Sequence, residues 1–511
     1  MKIKMYLLDI IFTFALAFLI SSQGAFASST SIVKIGSNNI AVLKNAESQE
    51  YILDEDIIVD KTIEINIENY TKFSLNGHYI KMTGEGSAIE VKGDGSLVIV
   101  GGGSDKHKFI INSGVCELND SATGEEGVDY QVVTGSFITG GTDSGIKITD
   151  GANVTIEDVK IIGCSAKNGG GVYVENGQFE LRGSDILYCK AEENGGGIYV
   201  NKDGELYFTQ ARKATIKNCT AESGSAISFC GKILSIIDAI IYGDIVDDRT
   251  EKNGYCGISS GTFYGNVDFK SYILGGTFNG EVKSYGIIYQ IYSPVFNGKV
   301  SNYGKIASYV AGKEIEDYLS NNINVPDGAT ATFNKEVTNY GAISAGTFND
   351  NIITPIKDVD KTSVNYGEGK ELTFSSYADI SNFERVEIDN KTIIENTDYT
   401  KESGSTVVKL KPSYVASLQL GTHTIKIVSK YVDKESAATA TFTISDTASS
   451  SSEEDNSSSS ATEPVTETVT EPTLDDVPKT GGEDCSNAML FFILSATCAI
   501  TAVMLKRFHR S

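Results

Sequence analysis

Tryptophan is absent from this chain of 511 residues, and proline occurs only seven times, several of them near the C-terminus. A chain without the bulkiest side chain, yet with 25 Tyr, 22 Phe and 51 Gly, suits thin stacked layers better than one bulky globular core. Positive charge is scarce too: 43 Lys and Arg stand against 67 Asp and Glu, a formal net charge of -24. That excess repels other polyanions and rules against nucleic acid as a partner. Eight cysteines spread over so long a chain do not resemble the disulfide frameworks that staple small secreted domains. With no Cys-x-x-Cys pair or nearby His, they are not expected to bind metal either.

What is present is repetition. Between Gly145 and Gly231 three segments can be laid over one another, with Cys164, Cys189 and Cys219 at the same point of each and glycines a few residues later. The period, cysteine to cysteine, is 25 to 30 residues. Such a period points to a stack, because no single unit can bury its own apolar face. Each unit reads as three short strands: Val172-Tyr-Val174 and Ile198-Tyr-Val200 alternate apolar and polar, as do Phe179/Leu181 and Ile186/Tyr188. Three strands and three turns per repeat, in register, make one coil of a parallel β-helix. Gly169-Gly-Gly171 and Gly195-Gly-Gly197 then sit at its sharpest corner. Equivalent side chains in such a stack recur at ~4.8 Å. The three cysteines are therefore expected as a buried ladder of free thiols rather than bonded pairs. This recurrence of glycine, aliphatic and cysteine in phase resembles the right-handed β-helices of the pectin-lyase-like superfamily.

The expected order along the chain is a signal peptide, 1–27; the solenoid, 28–354; an Ig-like β-sandwich, 355–445; a stalk, 446–476; and a cell-wall sorting signal, 477–511. Lys2 and Lys4 precede the apolar run Ile10 to Ile20, and Ala25-Phe-Ala27 supplies small residues for cleavage between Ala27 and Ser28. Short alternating strands follow from Tyr51 to Val100, and Leu75-Asn-Gly-His78-Tyr-Ile80 among them resembles the opening coils of bacterial surface β-helices. His78 is read as a turn residue, since no partner repeats near it. Residues 115–144 read as a polar insertion on the side of the solenoid. Gly261-Thr-Phe263, Gly276-Thr-Phe278 and Gly346-Thr-Phe348 recur at shorter spacing, which predicts tighter coils or part-turns and an internal phenylalanine ladder through Phe263, Phe278 and Phe296. A break at 311–328 carries a possible short helix, Lys313 to Leu319.

Beyond Pro355 the density of strands and turns is that of a β-sandwich. Tyr399 to Tyr414, followed by Leu420-Gly-Thr-His-Thr424, resembles an Ig-like module of secreted Gram-positive proteins, which implies a spacer without a site. Asn396-Thr-Asp398 matches a polygalacturonase tripeptide but lies outside the solenoid, a coincidence. From Asp446 to Asp476 the chain is Ser, Thr, Glu, Asp and Pro, too poor in apolar area to order itself. Val477-Pro478-Lys479-Thr480-Gly481, the apolar run 488–505 and the basic tail 506–511 together resemble the Gram-positive cell-wall sorting signal. Val477 replaces the leucine of the usual L-P-x-T-G, a departure that bears on which sortase class accepts it. The resemblance implies cleavage between Thr480 and Gly481, transfer of the Thr480 carbonyl to peptidoglycan, and membrane residence only before sorting.

The overall expectation is an all-β, monomeric surface protein of a Gram-positive bacterium: an adhesin, or a rod that binds an extracellular glycan or protein. The alternative is a wall-bound polysaccharide lyase or glycoside hydrolase, since such enzymes share this fold. Glycosidases need two carboxylates at a fixed separation, and the pectate-type resemblance implies calcium-binding acids with a basic proton acceptor. Asp158, Asp185, Glu192, Glu193, Asp203, Arg182 and Arg212 supply the charges, but none falls in a matching motif. No catalytic residue and no cofactor is therefore assigned, and Tyr173, Tyr199, Tyr188 and Tyr207 among polar residues are the candidates for stacking on sugar.

The sorting motif generates a direct test. Thr480→Ala should leave the protein in membrane and medium fractions, whereas the wild-type chain should leave intact cells only when the wall is digested. Release of wild-type protein by detergent alone would defeat the sortase reading.

Overall fold

The computed structural model describes residues 32–446, apart from 48, 113–114, 122–128, 210–211, 251–254, 309–327 and 404. The signal-cleavage residues Ala27 and Ser28, the stalk, the sorting motif, the span 488–505 and the short helix expected at Lys313 to Leu319 lie outside the described residues. Among those described, no helix is long and apolar enough to cross a membrane.

The protein is nearly all β, and 33 strands join in one wound parallel sheet. Three faces recur in each coil. Face A opens with Ile32–Ile35, Glu50–Leu53 and Tyr70–Ser74. Face B opens with Ile57–Val59 and Ile80–Met82, and face C with Ile63–Asn66 and Ile89–Lys92. Alternation along each strand sends every second side chain into the bore, as Ile63 and Ile65 show against Glu64. Parallel pairing, in register within each of these faces and shifted at corners such as Val174/Asn176 and Ile273/Gly275, then lays like upon like, coil after coil.

One inward column of face B shows how the bore is filled. It is isoleucine at successive levels from Ile57 to Ile241 and phenylalanine from Phe263 to Phe348. In the wider coils Ile161 and Ile186 share the corner with Cys164 and Cys189, and a Cβ on Gly171 would come within 2.6 Å of Ile186 Cγ2. Beyond Cys219 the thiol drops out and a ring takes the space. Phe263, Phe278, Phe296, Phe333 and Phe348 stack with centroids 4.8 to 4.9 Å apart. The short repeats are complete three-faced coils rather than part-turns, since Phe278, Val282 and Ile288 each join a different face.

Glycine is needed at the corner after the thiols: Gly169 and Gly195 take φ of +67° and +63°. Cys164, Cys189 and Cys219 are buried and free. Each thiol donates to the carbonyl two residues before it, Cys189 to Leu187 O at 3.4 Å. The insertion differs from its expected bounds. Lys106–Asn112 pairs antiparallel with Val115–Leu118 and Asp129–Thr134, while Phe137–Thr139 and Ile146–Ile148 already belong to the coils. This small sheet buries Phe109, Cys116 and Val133 against the outward Phe137 and Ile162 of face B.

Both ends of the stack are covered. At the start a 3₁₀ turn, Ile40–Asn45, inserts Leu43 into the core. At the finish come two sheets around their own core, Phe374, Ile427 and Phe442 among it. The longest pairing there is the antiparallel hairpin Gly421–Tyr431 with Lys434–Ser445, whose second strand also runs parallel to Ser363–Asn365. Tyr431, beside the hairpin turn, is fully buried and belongs to the solenoid core. Its hydroxyl meets Thr354 at 2.8 Å and Asn339 at 3.2 Å, and Asn339 in turn receives the Asn302 amide at 2.7 Å. The hairpin thus continues an inward column of face C.

The thiol arrangement is open to titration. Denatured without reductant, all six described cysteines should react with a thiol reagent. In the native protein half-buried Cys230 should react ahead of the five buried thiols because it alone is open to the reagent; burial raises its thiol too, and pushes Cys116 and Cys256 up to about 12, which leaves little thiolate. Missing thiols after denaturation would mean disulfides and would sink the ladder.

Candidate functional site

The charged residues singled out in the repeats do not converge. Arg182 forks onto Glu180 at 2.9 and 2.7 Å, Asp203 pairs with Lys232 at 2.9 Å, and Glu193 with Lys167 at 3.1 Å. Glu192 is exposed. Asp185 sits outward on face B, its carboxyl raised by burial against the opposing pull of Lys160 and Thr215. Glu157 and Asp158 do share an arginine, Arg212, which pairs with Asp158 and lies 4.0 Å from Glu157. That trio stands on an exposed edge where the ions screen one another.

His78 has the partner that its sequence neighbourhood did not show: Asp56, 22 residues earlier, accepts at 3.1 Å from Nδ1. The other two described histidines make the same contact, His107 with Asp120 and His423 with Asp389. The polygalacturonase-like tripeptide is a turn of the sandwich, with Asp398 accepting from Ile394 N at 2.8 Å.

The four tyrosines separate. Tyr188 turns a corner under the inserted sheet, and Tyr207 lies on face A with its hydroxyl on Glu205 at 2.9 Å. Tyr173 and Tyr199 stay together on face C, stacked at 5.6 Å, with the Lys147 ammonium 5.7 Å from the Tyr173 ring. They belong to an outward column that runs on through Ser228, Val246, Asp268 and Lys283. Two residues further along, at the turn, Tyr285, Tyr303 and Tyr340 form a second stack, at 4.7 and 4.6 Å. It ends edge-on against Tyr377 of the sandwich, 5.1 Å away.

Between the two aromatic stacks lies a polar notch of about 19 Å, four interstrand steps at ~4.8 Å each. Beneath it the bore column carries an ion pair. Asp247 stands where alternation places an apolar side chain, in register with Phe229, and is 1% exposed. Arg249 forks onto it at 2.8 and 2.7 Å, and the Arg249 and Lys270 backbone amides also donate to it. On the outer side Ser228 donates to Asp248 at 3.0 Å, and Lys270 Nζ to the Arg249 carbonyl at 3.0 Å. Burial raises the Asp268 carboxyl to about 6, and Asp247 and Asp248 reinforce this against the pull of Lys283 and Lys270. Its Oδ1 is buried without a hydrogen-bond partner. Burial, with Asp268 close by, pushes Tyr285 up to about 12.

Chemically, Arg249 is spoken for by Asp247 and the buried Ser228 by Asp248, which leaves Asp248, Asp268, Lys270 and Lys283 as donors and acceptors between two ring stacks. Such a set matches a hydroxyl-rich or peptide-like ligand laid along the axis. Sequence reading missed the notch because its residues belong to coils of unlike length. The available signal was Asp247 itself, on the inward phase of Ile245-Val-Asp247. Among the described residues no three His, Cys, Asp or Glu gather as metal ligands.

A three-faced parallel β-solenoid closed by a two-sheet unit is the class that this geometry defines. No family model, no curated protein and no solved structure matches the chain.

The ion pair can be tested alone. Arg249→Met leaves Asp247 buried and unpaired and should destabilise the protein by about 3–5 kcal/mol. The double replacement Asp247→Leu with Arg249→Met should recover most of that in thermal unfolding. Equal loss in both variants would show that the pair is not the cause.

Proposed function

We propose that this chain is a wall-anchored surface protein of a Gram-positive bacterium whose solenoid binds an extended extracellular glycan or protein. The coils form a right-handed β-helix akin to the pectin-lyase-like superfamily, and the terminal unit is an Ig-like spacer. The stalk holds both off the peptidoglycan to which a sortase joins Thr480. The observation that carries the binding reading is the face C notch, where partly unsatisfied polar groups lie between the Tyr173/Tyr199 and Tyr285/Tyr303/Tyr340 stacks. Pre-stacked rings lose little freedom on binding and present hydroxyls at fixed spacing.

One observation favours a second reading. A carboxyl raised to about 6 by burial, as at Asp268, is suited to general acid work. Under that reading the same notch cleaves a polysaccharide.

One assay separates the two. The full chain is incubated with polygalacturonate and with mucin-type glycans, with and without calcium. Binding of at least one of these glycans without new reducing ends or ultraviolet-absorbing unsaturated products is expected, and Tyr285→Ala or Asp268→Asn should weaken it roughly tenfold. New ends that vanish in Asp268→Asn would establish the enzyme instead.

A further inference from the structure

Face B carries a second outward surface, unlike the notch in chemistry. Its last outward position holds Lys217, then Tyr242 and Tyr264, then Asn279, Asn297, Asn334 and Asn349, one per coil. Lys217 Nζ lies 5.0 Å from the Tyr242 centroid, and the two tyrosine rings stack at 4.6 Å with only 6° between their planes. They are 41% and 49% exposed, so their edges stand in water although their faces are packed. The asparagines continue the row as an amide ladder. Asn297 donates to Asn279 at 2.9 Å, Asn334 to Asn297 at 2.8 Å and Asn349 to Asn334 at 2.7 Å.

Every bond in that ladder runs the same way, so the amide dipoles add and the groups polarise one another. The inner amides, Asn297 and Asn334, each use one N–H and one lone pair on their neighbours and keep the others for a ligand. Beside the ladder runs a row of Thr262, Thr277, Val295, Thr332 and Thr347. From Tyr242 to Asn349 these two rows hold no ionisable group but the tyrosine hydroxyls, on a chain of net charge -24. The surface is held by the phenylalanine column directly beneath it, Phe278 under Asn279 and Phe296 under Asn297. Its donors and acceptors are therefore fixed before any ligand arrives.

We propose that this Tyr–Asn–Thr track is a binding surface for a neutral, hydroxyl-rich polysaccharide lying along the solenoid axis, distinct from the face C notch. A charged polymer gains nothing from the track's own groups and is repelled by the rest of the molecule. A neutral chain of hydroxyls instead finds alternating donors and acceptors at each coil, and at one end the exposed edges of Tyr242 and Tyr264, whose hydroxyls extend the row of donors and acceptors.

The test uses the full chain and two probes, hydroxyethyl cellulose as the neutral polymer and polygalacturonate as the charged one, with mobility in polymer-containing native gels as the readout. Hydroxyethyl cellulose should retard the wild-type protein, and Tyr242→Ala with Tyr264→Ala should weaken that about tenfold or more. Asn297→Ala, which cuts the ladder at an exposed point, should weaken it less. Retardation lost in the notch variant Tyr285→Ala but kept in the double tyrosine variant would place the binding in the notch and overturn the track, so failure of the notch and failure of the track are distinguishable. Circular dichroism melts check that the variants fold. Absence of retardation, retardation that survives the double tyrosine variant, or loss of concentration-dependent self-association in that variant would each overturn the proposal, the last by assigning the track to a second copy of this chain.

Discussion

Parallel pairing kept in register within each face is the constraint from which the rest follows. Once each face lies over its predecessor in this way, a side chain there has the same kind of neighbour above and below. The inward column of face B can then be isoleucine for one stretch and phenylalanine for the next, but a change of type must be absorbed within one coil. The rings at 4.8 Å are the interstrand spacing made visible in side chains. The same rule makes a polar side chain in a column either costly or, when repeated, self-satisfying. Inside the bore the Asn302 amide N–H reaches Asn339 while its Oδ1 is left without a partner, and the face B asparagines show the second outcome outside.

Asp247 is the first outcome, corrected by proximity. A carboxylate in the bore costs several kcal/mol unless paired, and its partner sits two residues away on the same strand end. Pairing within one turn means that the charge is neutralised as the coil forms, without waiting for the next coil to stack. An ion pair in a column of hydrocarbon also penalises a slip of one level in either direction, since Asp247 would then leave the reach of the Lys270 amide that it now accepts from.

Much of this was legible in the sequence. The strands of Tyr51 to Val100, the glycine corners at Gly169 and Gly195, the buried thiols and the phenylalanine ladder follow from alternation and period, both of which are properties of neighbouring residues. What escaped depends on distances across coils. Asp56 reaches His78 only because one turn of the solenoid separates them, and Tyr199 and Tyr285 bound one notch only because three coils of different lengths lie between. The sheet at Lys106–Asn112 hid for a different reason: its pairing is antiparallel and local, and a reader following the coil period counts its strands as either loop or coil.

The terminal hairpin decides how the molecule would answer a pull. Its second strand, Lys434–Ser445, begins beside the bore that Tyr431 plugs and ends one residue before the last one described. Tension applied at Ser445 therefore runs lengthwise along that strand, across the ladders to Gly421–Tyr431 on one side and Ser363–Asn365 on the other. Bonds perpendicular to the force are strained together rather than opened one after another. A rod tethered at its C-terminus and holding something at its flank would thus meet traction with its most continuous pairing in shear, and its survival would be set by an unfolding rate rather than by equilibrium stability.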